Sequence, residues 1–270
     1  MQLLDALQNL PLAAMFIVTL AIGLVLCWLI IIVVRVGVRA ADLDLDLTTP
    51  LPLRDTLIGT LSGLFALMMA FSAAGIWNDT LQASSAVQRE ANALENVLAL
   101  AGSLPEDLTK AVKSSVREYG RGVVERDWPA MKRSVDVNDP VYDVADKILI
   151  DLIHMLSAEQ QRIASSSIIA PLVGQIIEAR SARRARVALS SAGVSVVQWL
   201  AMLLLALGAL TAIAVCHYHH FGMQLVGMHL YVFAATAAFF VILAHDRPFV
   251  GAISVSPAPI LELVAPGHSS

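Results

Sequence analysis

Charge is missing from three long stretches of this 270-residue chain. No Asp, Glu, Lys or Arg occurs from Ala6 to Val34, from Thr56 to Asn78, or from Val187 to His245. Only 15% of the residues are charged and 57% are hydrophobic, whereas a soluble domain has about 25% charged and roughly 45–50% apolar residues. A bilayer core about 30 Å thick is crossed by about 20 apolar helical residues. The stretches therefore predict an all-α membrane protein with four spans, 11–34, 56–77, 193–216 and 224–244, the last two joined by a short turn. The first span lacks a basic leader and an Ala-x-Ala site, and its apolar part is too long for a cleavable signal. Cysteine is scarce as well. Cys27 and Cys216 both fall inside spans, which gives no disulfide framework and no zinc spacing.

Other absences exclude function classes. The spans hold no Asp, Glu, Lys or Arg, the ionisable groups that ion-coupled transporters and pumps usually place at membrane depth. What remains is an uncharged pore, or no pore. There is no Gly-rich phosphate loop, strand-like alternation or internal repeat. No nucleophile, base and orienting group come together, so no catalytic residue, cofactor or enzyme activity is expected. A net charge of −4 gives no sign of nucleic-acid binding.

Charge gathers between the second and third spans. Asp79 to Arg186 carries 14 of the 18 basic and 15 of the 22 acidic residues, so residues 79–190 read as a water-facing helical domain. Val87, Ala91, Leu94, Leu98 and Ala101 form one helical seam. Ser103 and Glu106 have the spacing of a capping box, with Pro105 in the first turn of a new helix. Leu108, Val112, Val116, Tyr119 and Val123 line that helix, which Trp128-Pro129 is expected to stop. Val141, Val144, Ile148, Leu152 and Leu156 line the next, and Pro171 separates the last two segments. Basic residues near the span ends number six on this side (Arg89, Arg180, Arg183, Arg184, Arg186, Arg247) and three on the other (Arg35, Arg39, Arg54). The excess predicts a cytoplasmic helical domain with both termini and the 245–270 tail on the same side.

Several groups of residues could carry function. In the second span, Gly59, Gly63, Ala66 and Ala70 make a small-residue seam that lets helices approach closely. Phe65, Met68 and Ser72 point to nearly the opposite side. Either both faces pack within one subunit, or the small seam packs internally while Phe65, Met68 and Ser72 line an oligomer axis. His217, His219 and His220 cluster, but a fourth ligand is missing and interfacial His and Tyr are ordinary, so no metal site is expected. Arg180, Arg183, Arg184 and Arg186 suit an anchor for anionic headgroups, or could draw anions toward a vestibule. Asp246 and Arg247 stand where the fourth span leaves the bilayer, in reach of water, and Pro248 ends the helix. The tail beyond reads as an extended segment folded on the helical domain or touching a neighbouring subunit.

Three segments carry a family resemblance: "FALMMAFSAAGIWNDTLQASSAVQREANAL", "LPEDL…VREYGRGVVERDWPAM" and "DRPFVGAISVSPAP". Together they hold Trp77, Trp128, Pro129, Asp246, Arg247, Pro248 and Phe249. Over roughly residues 55–260 the chain resembles the bestrophin-like family of bacterial four-span membrane proteins, distantly compared with the pentameric bestrophin anion channels. The resemblance implies a helical cytoplasmic region between spans two and three, a bacterial inner-membrane location, and a homo-oligomer, five-membered by the bestrophin comparison. It also implies conduction of inorganic anions through an apolar constriction on the second span. The acidic calcium-binding cluster of animal bestrophins has no counterpart, so calcium gating is not implied. Two other functions share the layout. One is a non-conducting scaffold or sensor whose helical domain binds a protein partner. The other is a motor stator, which requires a partner subunit bringing the membrane acid.

Overall fold

A computed structural model describes residues 10–41, 52–162, 167–251 and 253–264. Residues 1–9, 42–51, 163–166, 252 and 265–270, with Arg54's side chain, lie outside the described set. Among the described residues the regular structure is helical throughout. The chain divides into two compact units, one of residues up to Trp77 with Gly193–Asp246, the other of Asn78–Ala192 with Arg247 onward.

The first unit holds α1 (Leu12–Ala40), the opening part of α2 (Pro52–Ala101), α7 (Val196–Cys216) and α8 (Phe221–His245). Each of these helices is long and apolar enough to cross a membrane. The protein is accordingly a multi-pass membrane protein. Helix α1 runs on past Arg35, and α8 begins at Phe221, ahead of the expected start at 224. Cys27, Ile30 and Ile31 of α1 pack with Leu210, Ile213 and Ala214 of α7 and with Met228 and Val232 of α8. Phe65, Met69 and Ile76 of α2 pack with Met202, Ala206, Ala235 and Ile242. Ser195 and Gln198 form a reciprocal capping box at the start of α7, satisfying backbone donors that a helix end otherwise leaves open. Next to that box, the Val194 amide donates to the Asp246 carboxylate at 2.7 Å. Asp246 is buried. The expected exit of its charge to water is therefore corrected: the carboxylate turns back to hold the backbone before α7.

The second unit contains the rest of α2, then α3 (Glu106–Gly122), a π-helical turn (Val123–Asp127), α4 (Trp128–Lys132), a 3₁₀ turn (Pro140–Tyr142), α5 (Asp143–Arg162), α6 (Ile169–Ala188), a second 3₁₀ turn (Leu189–Ser191) and α9 (Ala258–Val264). Its core joins Val87, Leu94 and Val97 of α2 to Val112, Val116 and Tyr119 of α3, Leu149, Leu152 and Leu156 of α5, and Leu172 and Ile176 of α6. Apolar side chains recurring at helical spacing on each element supply this core.

Local details of this unit depart from the sequence expectation. Pro105, not Ser103, is the residue preceding α3, and no side chain caps the helix. Instead the Thr109 hydroxyl donates to the carbonyls of Ala101 at 2.7 Å and Leu104 at 3.1 Å, tying the turn from its far side. Trp128-Pro129 does not stop the helix, which widens into the π turn and continues to Lys132. Pro129 lacks an amide and its ring would crowd the carbonyl of residue 125, a conflict that the wider turn relieves. The helix ends instead near Ser134, whose φ is 51°. Pro171 sits in the first turn of α6, where the missing amide costs nothing. In α5 the buried line is Ala145, Leu149, Leu152 and Leu156, while Val144 is exposed.

Candidate functional site

Two places concentrate the residues of chemical interest, and each lies within one unit. The first is the membrane-spanning part of α2. Phe65 is only 6% exposed and Ser72 is buried as well. Phe65 packs on Tyr231 and Phe239 of α8, with ring centroids 6.1 and 5.6 Å away. The Ser72 hydroxyl faces the Met202 sulfur of α7 at 3.6 Å, and Met68 packs on the same cluster. Gly59, Gly63, Ala66 and Ala70 are exposed. A Cβ built on Gly59 or Gly63 would meet no atom within 4 Å. The chain therefore uses the bulky seam for internal packing and leaves the small seam open, the reverse of the expected internal role for the small residues. Ala206 of α7 and Ala235 of α8 leave room that Phe65 and Met69 fill, so the large side chains are the better internal complement. Beside the open seam runs a second exposed ridge, Leu64, Leu67 and Phe71, the last 66% exposed. Trp77, at the end of the span, is exposed too.

The second place is one that sequence reasoning missed. In the helical unit, Glu90, Asp127, Arg183 and Arg186 are buried together. Arg186 grips Glu90 with two hydrogen bonds, Nε to Oε2 at 2.7 Å and Nη2 to Oε1 at 3.1 Å, and reaches Asp127 Oδ2 at 3.3 Å. Arg183 grips Asp127 at 3.0 and 3.2 Å and donates to the Tyr142 carbonyl. The Tyr119 hydroxyl donates to Glu90 at 2.6 Å. Four elements are tied by this arrangement: α2 through Glu90, α3 through Tyr119, the π turn through Asp127, and α6 through both arginines. Two carboxylates balance two guanidiniums, and every carboxylate oxygen accepts a hydrogen bond, the condition under which buried charge is tolerable. Burial, then the Glu90 charge, pushes the Tyr119 hydroxyl well above its ordinary range, so it stays a neutral donor. Burial works against the Arg186 charge, yet Glu90 and then Tyr119 and Asp127 outweigh it and hold its pKa above the usual arginine value. For Asp127, burial prevails over the two arginines and raises the carboxyl. At the edge, Arg180 donates to both Asp146 oxygens at 2.7 and 2.6 Å and draws that carboxyl down.

This corrects the reading of the arginine run. Arg183 and Arg186 face inward and Arg180 is engaged by Asp146, so of the four only Arg184 is exposed and able to meet a headgroup or anion. The cluster is closed and fully paired. Its chemistry is that of a tie between helices and not of a ligand site.

The tail closes on the same unit. Phe249 stands edge-to-face on Trp128, centroids 5.6 Å apart, while the Arg186 guanidinium lies over the Trp128 ring, 5.1 Å from its centroid. The Arg247 guanidinium donates to the Ser134 hydroxyl at 2.8 Å, and the Pro248 carbonyl accepts from the Val255 amide at 2.8 Å. Phe249, Ile260 and Leu263 join the core. The tail thus packs on its own chain; the stretch expected to be extended, "VGAISVSPAP", carries no helix among its described residues until Ala258, where the short helix α9 begins.

At the turn between α7 and α8, Arg35 lies over the Phe221 ring at 4.4 Å and donates to Gln224 at 3.1 Å. Gln224 is buried and donates in turn to the Ala214 carbonyl at 2.7 Å. His217 bonds its own helix through the Ile213 carbonyl at 3.1 Å, and His219 meets Tyr218 edge-to-face. Among the described residues no group of His, Cys, Asp or Glu is placed to hold a metal ion.

A family model described as the Bestrophin-like domain matches residues 24–260. No curated protein and no solved structure matches the chain.

Proposed function

The chain belongs to the bestrophin-like family, and from that membership we propose an oligomeric ion channel of the bacterial inner membrane that conducts anions. One observation beyond the family carries this reading. The span α2 leaves its small seam at Gly59, Gly63, Ala66 and Ala70 open, and among the described residues nothing beyond the helix's own turn lies within 4 Å of a Cβ at either glycine. Small seams at membrane depth serve close helix approach, since lipid gives no hydrophobic drive for helices to meet. A second copy supplies the missing neighbour. With α2 seated against its copies, the adjoining ridge of Leu64, Leu67 and Phe71 faces the axis. Bulky apolar side chains there restrain hydrated ions by dewetting, without a charged ring. This ridge takes the place of Phe65, Met68 and Ser72, which support the span from behind. The helical unit and both termini face the cytoplasm in this reading. The arginine excess acts at insertion, before the folded pairing of Arg183 and Arg186 exists, so the topological argument stands.

Chloride flux into liposomes, with the mass of the assembly measured in a bilayer-like environment, tests the proposal. The parent protein should conduct as an oligomer. Phe71→Asn should raise flux at least about tenfold, as removal of an apolar barrier does, with the assembly unchanged. Gly63→Leu should reduce the assembly to single chains. No flux from an intact oligomer, with a soluble protein co-purifying, would favour the scaffold function instead.

A further inference from the structure

Within the membrane unit, α1, α7 and α8 enclose an apolar groove of about 460 Å³. Its walls are mostly aliphatic and aromatic, among them Ile22, Trp199, Leu200, Leu203 and Phe239. The hydroxyl of Thr19, which also lines it, is spent on the Met15 carbonyl at 2.8 Å. The floor is tight: a Cβ on Gly23 would lie 3.0 Å from Val232. The outer side is open, because the wall residues Ile22, Leu200 and Leu203 are themselves exposed.

Shape and chemistry together select an occupant. The wall runs along α7 from Val196 to Leu210, about 21 Å at 1.5 Å per residue. One leaflet of hydrocarbon is about 15 Å deep, half of the ~30 Å core. The groove is thus long, narrow and parallel to the spans. One end lies beside the Ser195–Gln198 capping box and Trp199, the polar and aromatic residues that mark a headgroup boundary. Water is a poor filler, since a bound water needs two to four polar partners and only Thr19, Thr236 and the Trp199 indole bring a polar side-chain group to these walls, the first already spent. A helix about 10 Å across is too thick to enter. We propose that this groove is a resident site for one acyl chain of a phospholipid, lying along α7 with its headgroup at the Ser195 end.

The test uses the full-length protein reconstituted in vesicles of palmitoyl-oleoyl phosphatidylethanolamine and phosphatidylglycerol, re-extracted in mild detergent and weighed by native mass spectrometry. The parent should retain one phospholipid per chain. Leu203→Trp adds bulk toward the open groove and should lower the retained fraction at least about tenfold, as should Ala206→Phe. Leu204→Trp, an equal change on the outer face of the same helix, should leave retention as it was. A parent that retains no phospholipid would overturn the proposal, as would equal retention by the Leu203 and Leu204 variants. So would oxidative cross-linking of Leu203→Cys between copies, on a background of Cys27→Ser and Cys216→Ser, because another chain would then cover the groove. Leu203→Trp remains decisive if Ala206→Phe fails to fold, since the side chain at 203 already projects into open space.

Discussion

In the helical unit, four charged side chains are buried side by side, whereas the interior of the membrane unit holds Ser72, Gln224, Thr236 and, at its border, Asp246. Polar groups along the spans mostly turn back on their own helix: Thr19 to Met15, Thr211 to Leu207, His229 to Leu225. In the helical unit they instead reach across 29 to 96 residues of sequence, from Tyr119 to Glu90 and from Arg186 to Glu90. The solvent accounts for the difference. Water-facing helices gain stability by burying apolar surface and can spend some of it on a costly but directional ionic tie. Spans in lipid gain little from burial against one another, so they rely on fit, as where Phe65 fills the space between α7 and α8. The ionic tie fixes how α2, α3 and α6 register; fit, with a few neutral or single-charge hydrogen bonds such as Arg35 to Gln224, fixes the spans.

The largest expected effect strikes the tie. Arg186→Met leaves the Glu90 carboxylate buried without its cation, while Asp127 keeps Arg183, and should cost about 3–5 kcal/mol. It should appear as a large fall in the unfolding midpoint of the helical unit, followed by circular dichroism in denaturant. Combining it with Glu90→Leu should recover part of the loss, because an apolar pair replaces a stranded charge. Failure of the double variant to recover would mean that the cluster contributes more than mutual neutralisation.

A smaller effect is expected in the spans. Phe65→Ala opens a void beside Tyr231 and Phe239 and should lower the thermal midpoint measured in detergent by several degrees, about 3 kcal/mol, the lower end for Phe→Ala. Chloride flux should not rise with it. Flux rising as strongly as with Phe71→Asn would place Phe65 at the axis and reverse the two faces.

The smallest effect concerns acid. Arg180 draws the Asp146 carboxyl down, so the folded pKa lies below the unfolded one near 4. The stability this adds is complete above the unfolded pKa and fades as pH falls through the folded value. The pair is partly exposed, and its contribution should stay below about 1 kcal/mol. Asp146→Asn should therefore lower stability at neutral pH by less than about 1 kcal/mol, and the difference from the parent should vanish below about pH 4. An equal drop at pH 7 and pH 3 would show that Asp146 serves packing alone.

The spans were legible because a charge-free run of about twenty residues or more rarely forms anything but a membrane helix. The helical seams were legible because water outside and core inside give strong contrast. The ionic tie was in the sequence too, in phase rather than in composition. Ile169, Leu172, Ile176, Ala179, Arg183 and Arg186 step by three and four residues along one face, and Glu90 falls in the same register as Val87, Leu94 and Val97. Taken together with Arg180 and Arg184, the two arginines look like a basic patch; taken by helical phase, they belong to the core. The orientation of α2 was not legible. Both its faces are apolar, and lipid resembles protein interior closely enough that the pattern shows no inside. Only the room left on α7 and α8, which is tertiary, decides that Phe65 turns inward. The widened turn before Pro129 was hidden for a related reason, since a proline can end a helix or be absorbed by it and the neighbours choose.

The clasp at the start of α7 has a consequence for what substitutions the chain can accept. A Cβ at Gly193 would lie 3.2 Å from the Asp246 carbonyl oxygen and 3.3 Å from its carboxylate. Because one of those atoms is backbone, no exchange at position 246 makes room for a larger residue at 193. The reverse freedom exists, since an asparagine at 246 keeps an oxygen for the Val194 amide. The two positions are therefore unequal partners: drift is open to the acid, whereas a side chain at 193 has to be absorbed by a shift of the Asp246 backbone, moving the ends of two spans slightly apart.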